Sequence, residues 1–253
     1  MLTTKEIFDR YQEVRSRFPA VNAAPKTLDI DSLLDISGDV DAFIFDAFGV
    51  LNVGETLIPD ADTRLDQLRE RGCVIRILTN AASYDRGGAI AKFKRLGIHI
   101  QDDEIITSRE ATLHHVGDAH WGVICADSDA LLDLPKPVTR LGNRLEDYDA
   151  ADKFLFLSTA DWTAQKQELL LKSMQRNPRP LLVGNADLAA PRDKSLSYEP
   201  GHFGHLIADQ FPQYVQFFGK PFPEVYDLIE GSLSGVQSNR IAMCGDTLHT
   251  DIL

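Results

Sequence analysis

Cysteine is scarce: three residues in 253, odd in number, far apart and without a CxxC pair. That excludes a disulfide framework and the usual cysteine zinc sites, and Cys73 and Cys244, each in an apolar run, read as small buried hydrophobes. Long apolar stretches are absent, so no segment has the length of a bilayer span. The start of the chain lacks a signal-peptide pattern, since Lys5 and Glu6 lie in an amphipathic run. These absences predict a cytoplasmic protein with no membrane partner. Basic blocks are missing too: 26 Lys and Arg are dispersed among 38 Asp and Glu, for a net charge of −12. No nucleic-acid footprint follows from that pattern. A small anionic substrate stays admissible, because one local lysine or metal ion outweighs the global field.

What is present is a globular chain, 43% hydrophobic, long enough for one large core or two smaller ones. Thr3 or Thr4 can cap a helix with Ile7, Phe8, Tyr11, Val14 and Phe18 at helical spacing, predicted to pack on the main body. Residues 19–40 are irregular. The run Phe43-Ile44-Phe45 then reads as a buried strand that ends at Asp46, with Gly49 allowing a turn. A hairpin-like excursion through Gly54 leads to a helix that Asp60 can cap and Gly72 closes. A second strand, 73–78, ends in Thr79-Asn80; a helix over 84–96 and a strand at Ile105-Ile106 complete a β-α-β-α-β run. This predicts an α/β fold with a doubly wound parallel sheet.

The middle reads as a smaller α/β unit, with strands at 121–126, 154–157 and 181–183 and a helix over 163–176. The predicted division is a core of 1–107 and 191–253 with an inserted domain at 108–190. The main sheet is expected to resume with a strand at 214–218 that ends in Gly219-Lys220-Pro221, followed by 240–244 ending in Gly245-Asp246 with Asp251 beyond. The carboxyl ends of parallel strands share one edge, so Asp46, Thr79-Asn80, Lys220 and Asp246/Asp251 are expected to converge. Clustered carboxylates ask for a hard cation. A hydroxyl and an ammonium suit phosphoryl oxygens. Together they suit in-line phosphoryl transfer through an aspartyl-phosphate.

This motif order resembles the haloacid dehalogenase-like (HAD) hydrolases, and the position of the insertion resembles the class IIA branch of sugar-phosphate and nitrophenyl-phosphate phosphatases. Asp46 to Val50, Thr79-Asn80, Gly219-Lys220-Pro221 and Gly245-Asp246 with Asp251 match the four motifs, over about 40–253. The resemblance implies Asp46 as nucleophile and Mg²⁺ ligand, with the Phe48 carbonyl and Asp246 as further ligands. It implies Asp251 holding the metal's water shell or orienting Lys220, and Thr79 and Asn80 gripping phosphoryl oxygens. Asn185 and Asp187 match the return from cap to core, with Ala186 where Pro is usual. A small phosphorylated substrate is implied, and cap-to-cap homodimers are common in that branch. The family normally continues past the fourth motif, so a chain shortened after Leu253 is expected.

One departure bears on chemistry. Such phosphatases generally carry a second Asp two residues after the nucleophile, and here that residue is Phe48. Acid–base help is worth about 10²–10⁴ in rate. Either the leaving group is good, as in acyl or aryl phosphates, or Glu55 or a cap histidine stands in, or the chain is a catalytically weak or inactive scaffold. A metal-free dehalogenase also lacks the second Asp, but the Asp246/Asp251 pair argues against it. His114, His115, His202 and His205 have no recognisable partner, and Trp121 and Trp162 read as packing residues of the insertion.

Overall fold

The computed structural model describes residues 3–20, 28–192 and 195–252. Strand β1 (Ala42–Phe45) is buried on both faces. Ala42 and Ile44 point to one side and Phe43 and Phe45 to the other, as the two-residue period of a strand requires. After it come a short antiparallel hairpin, β2 (Asn52–Val53) and β3 (Thr56–Leu57), and helix α2 (Ala61–Glu70). Strand β4 (Val74–Thr79), helix α3 (Arg86–Arg95) and strand β5 (Ile105–Thr107) follow. With β13 (Ile241–Cys244) these strands make a parallel sheet of order β13-β1-β4-β5. Phe43, Phe45, Ile75 and Ile77 pack with Leu65, Leu68 and Phe93 of α2 and α3. Ala42, Ile44 and Leu78 pack on the opposite face with Val225 and Ile229 of helix α8 (Pro223–Ser232). Helices therefore cover both faces, which is why β1 is apolar throughout.

Helix α4 (Ser108–Leu113) leaves this sheet with a Thr107–Glu110 capping box. A second parallel sheet follows, built from β6 (Trp121–Ile124), β7 (Val138–Arg140), β8 (Lys153–Phe156) and β9 (Leu181–Val183). Helices α5 (Leu145–Asp149) and α6 (Ala164–Arg176) cross between its strands. A hairpin, β10 (Ala189–Arg192) and β11 (Ser195–Tyr198), and helix α7 (Pro200–Ala208) complete the connection to β12 (Val215–Phe217).

The expectation that the first sheet resumes at 214–218 is corrected here. Strand β12 pairs in parallel with β9, giving the second sheet the order β12-β9-β8-β6-β7. Phe217 packs with Phe154, Phe156, Ile207 and the rest of that unit's core, so burial and backbone bonding place it there together. Asp60 is a smaller correction: it precedes α2 at φ +63° and makes no side-chain cap bond.

Helix α1 (Thr4–Glu13) starts at a Thr3–Glu6 capping box and, as its spacing predicts, buries Tyr11; Val14 and Phe18 follow it inward. It touches both units. Arg10 and Arg17 pair with Asp209 beside α7 at 2.6 and 2.7 Å, and the Tyr11 hydroxyl accepts the Leu188 N–H at 3.1 Å. On the other side the Tyr11 ring stacks on His249, centroids 4.6 Å apart, within the loop that carries Asp246 and Asp251. No helix among the described residues is long and apolar enough to cross a membrane.

Candidate active site

Three elements deliver the charged centre. Asp46 follows β1, Asp246 and Asp251 follow β13, and Lys220 follows β12 through Gly219. Lys220 thus reaches the edge of the first sheet from the end of a strand in the second. Its Nζ lies 2.6 Å from Asp46 Oδ1 and 2.6 Å from Asp251 Oδ1, with the lysine 1% exposed. Burial opposes its charge, but Asp46, Asp251 and Asp187 outweigh that and raise its pKa. Burial pushes Asp46 up to about 6; Lys220 pulls it back and Asp251 adds repulsion. Asp187, half-buried on the cavity wall, is pushed by burial up to about 8, with Lys220 opposing.

Asp46, Asp246 and Asp251 each offer an oxygen within 4.8 Å of the others. The Phe48 carbonyl accepts none of the described hydrogen bonds. Three carboxylates form an all-oxygen donor set that suits a hard divalent cation, and Lys220 alone cannot neutralise three acids. The donor set fits the expected metal. Gly49 makes it possible: at φ +86° its backbone passes so close that a Cβ would overlap the Asp246 carboxylate. Gly49→Ala is therefore expected to weaken Mg²⁺ or Ca²⁺ binding at least tenfold by calorimetry. The left-handed backbone alone costs a non-glycine residue about 1–2 kcal/mol, which should also lower the melting temperature.

Thr79 and Asn80 end β4 beside Asp46, and their roles divide. Thr79 Oγ1 accepts the Ala81 N–H at 3.1 Å, and its hydroxyl proton is uncommitted among the described residues. Both N–H groups of the Asn80 side chain are committed: Nδ2 donates to the Lys220 carbonyl at 3.0 Å and to Asp187 Oδ1 at 2.9 Å, while Oδ1 accepts the Lys220 N–H at 2.7 Å. Its side chain therefore holds the lysine turn and is not free to grip a phosphoryl oxygen. Gly219, at φ +92°, leaves the space that Asn80 Oδ1 fills. Asn185 accepts the Asp187 N–H at 2.8 Å and faces Glu199, so the Asn185-Ala186-Asp187 turn is built into the same network.

Asp46, Thr79 and Asn80 open into a cavity of about 580 Å³ between the two units. Its walls carry hydroxyls from Ser83, Ser158 and Thr159 and rings from Tyr84, Trp162 and Phe203. Asp246, Asp251 and Lys220 are not part of that lining, and Asp46 joins them to it. Phe48 is a wall, flanked by Lys92 Nζ at 4.0 Å from its ring centroid and by Arg192 at 5.5 Å.

A profile of haloacid dehalogenase-like hydrolases matches residues 43–132, the segment that holds Asp46, Thr79 and Asn80. Over that segment, about a third of its length, the chain is similar to the haloacid dehalogenase-like hydrolases. An acid sugar phosphatase of Staphylococcus haemolyticus is 23% identical over 217 residues, covering 83% of this chain and 79% of that protein. Among solved structures, a possible sugar phosphatase of the HAD superfamily from Cytophaga hutchinsonii superposes with a TM-score of 0.76 at 22% identity, over 89% of this chain and 84% of that one. Glycerol phosphate phosphatase of Mycobacterium tuberculosis in complex with magnesium superposes at 0.65 and 18% identity, over 86% and 64% of the two chains. These likenesses establish the HAD fold of parallel sheets with flanking helices.

Several residues of this site are not among those the sequence points to. Lys92 belongs to a Lys92-Phe93-Lys94-Arg95 run near the end of α3. Its spacing from Ala89 puts it on the buried face of that helix, and the spacing is the signal the sequence offers. Glu199 is buried at the start of α7, where burial raises its pKa, and it accepts from Arg192 at 3.0 Å and Ser197 at 2.8 Å. Glu55, the acidic stand-in suggested by sequence, lines the cavity but is two-thirds exposed. Of the histidines, His202 is pushed down to about 4 and His205 to about 3, both mainly by burial, and none of the four lines the cavity. Trp121 is buried in the second unit, as expected, whereas Trp162 reaches the cavity wall.

Proposed function

We propose that this chain is a phosphomonoester hydrolase of the HAD type, dependent on Mg²⁺, acting on a small phosphorylated metabolite. The observation that carries the reading is Asp46, at a strand end with Lys220 2.6 Å away and two further carboxylates within cation-holding distance. The names of the phosphatase relatives support the same reaction class. Asp46 would attack phosphorus in line, forming an Asp46 Oδ–P bond as the ester P–O bond breaks. The leaving oxygen takes a proton from solvent, and water then attacks phosphorus to release phosphate and restore the carboxylate. Asp46, Asp246, Asp251 and the Phe48 carbonyl would hold the cation, which neutralises the gathered charge and polarises the phosphoryl oxygens. Thr79 would donate to a phosphoryl oxygen, Lys220 would hold Asp46 ionised, and Asn80 would keep Lys220 in place. We read the second unit as a cap of the class IIA kind, running through β12 to about residue 218 and not stopping near 190.

Phe48 has no proton to give, so leaving groups that depart as stable anions are favoured. Phosphate release from 4-nitrophenyl phosphate with Mg²⁺ is expected to outpace that from simple alkyl phosphates by about 10²–10⁴, the usual worth of a general acid. EDTA is expected to stop it. Release that survives EDTA, or halide release in EDTA from haloacids, would replace this reading with a metal-free dehalogenase; silence towards every ester would leave a binding scaffold.

A further inference from the structure

Phe48 fills the place where the family's acid normally stands, and the cavity wall around it carries a cation with little to neutralise it. Lys92 is 6% exposed, yet among the described residues its ammonium makes no hydrogen bond. Its nearest carboxylate is Glu55 Oε1 at 3.9 Å, beyond hydrogen-bond reach and on a side chain 67% exposed. Exposed, loosely paired partners of that kind contribute little. Burial depresses the Lys92 pKa to about 8, and Glu55 only partly offsets it. By contrast Arg192, the second cation beside the Phe48 ring, is committed to Glu199 and Ser197. Of the two cations at the ring, one is satisfied and the other is a buried ammonium that faces the cavity.

A buried charge is costly unless something pairs with it. The phosphoryl group does not need Lys92, because Lys220 and the cation-binding carboxylates serve Asp46. Phe48 lies two residues from the nucleophile, so Lys92 borders the leaving-group side of the pocket. Resting on the phosphatase reading, we propose that Lys92, seated over Phe48, is the subsite for a second anionic group carried by the leaving part of the substrate. A phosphorylated acid or a bisphosphate would supply that group, with Phe48 as an apolar floor that keeps water from the ion pair. Phe48 then serves selectivity by flooring the ion pair, and donates no proton.

The test compares esters that differ only in charge. For turnover, 3-carboxyphenyl phosphate is set against 3-(hydroxymethyl)phenyl phosphate, both with aryl leaving groups. For binding, phosphoglycolate is set against 2-hydroxyethyl phosphate, and 1,3-propanediol bisphosphate against 3-hydroxypropyl phosphate, by calorimetry on the Asp46→Asn protein with Mg²⁺. The last pair separates a second phosphate from a carboxylate. The charged member of at least one pair is expected to be preferred, and Lys92→Met to cost it about 30-fold more than its neutral partner, the lower range for unpairing a buried charge. Lys92→Arg is expected to keep most of the preference, and thermal melts of both variants control for folding. A wild-type protein indifferent to charge in every pair, or a preference that survives Lys92→Met, overturns the proposal. If no ester turns over but the charge preference in binding persists and needs Lys92, the phosphatase reading fails and the subsite stands.

Discussion

Asp46→Asn is expected to reduce phosphate release by roughly 10⁴–10⁶, the range seen when a covalent nucleophile is removed. The argument is geometric. Asp46 is the one carboxylate that both lines the cavity and lies in the acidic cluster beside Lys220. Asn keeps the shape and can still accept the Ala47 N–H that Asp46 Oδ1 holds at 2.7 Å. Folding should therefore survive, and a loss of activity reads on chemistry. Steady-state assay with a good aryl ester, beside a thermal melt, checks it. Activity within tenfold of wild type would mean that another group attacks phosphorus and that the Asp46 assignment is wrong.

Lys220→Met is expected to have the largest effect on stability. Lys220 sits between Asp46 and Asp251 and also acts on Asp187, and its removal strands buried carboxylates with no cation. Removing one partner of a buried pair costs about 3–5 kcal/mol, a large share of a typical domain's total. The sign with pH follows from the same groups. Burial already raises Asp46 and Asp187, and Lys220 is the main influence holding both down. Without it their folded pKa values rise further above those of the unfolded chain. The penalty is then greatest above those folded values, near pH 8 to 9, and shrinks as pH falls and the native acids take up protons. Urea unfolding in EDTA at pH 8.5 and pH 6 measures the difference. A variant equally stable at both pH values would show that Lys220 does not neutralise the cluster.

Much of this was legible beforehand, for a physical reason. Asp46 and Thr79 end apolar strands buried on both faces, and such strands announce themselves by composition and by the abrupt polar residue that closes them. Strand β12 is not placed by its sequence, because Val215–Phe217 is short and its pattern is the same whichever neighbour it bonds; pairing is a long-range property. The position of Asn80 points to a phosphoryl group but does not show that both of its side-chain N–H groups are committed elsewhere, to Lys220 and Asp187. Lys92 is visible only as a charge, while its helical spacing points inward.

Helix α1 carries a consequence for where the working unit begins. The four motifs of the site all lie beyond residue 40, and a boundary drawn there looks natural. Yet the ring that lies against His249 belongs to Tyr11, and the same helix reaches Asp209 and Leu188 in the second unit. The acidic loop and the second unit thus share a brace that none of the four motifs contains. The stretch that carries the motifs is shorter than the machine, and the helix before it is a keystone set outside the arch.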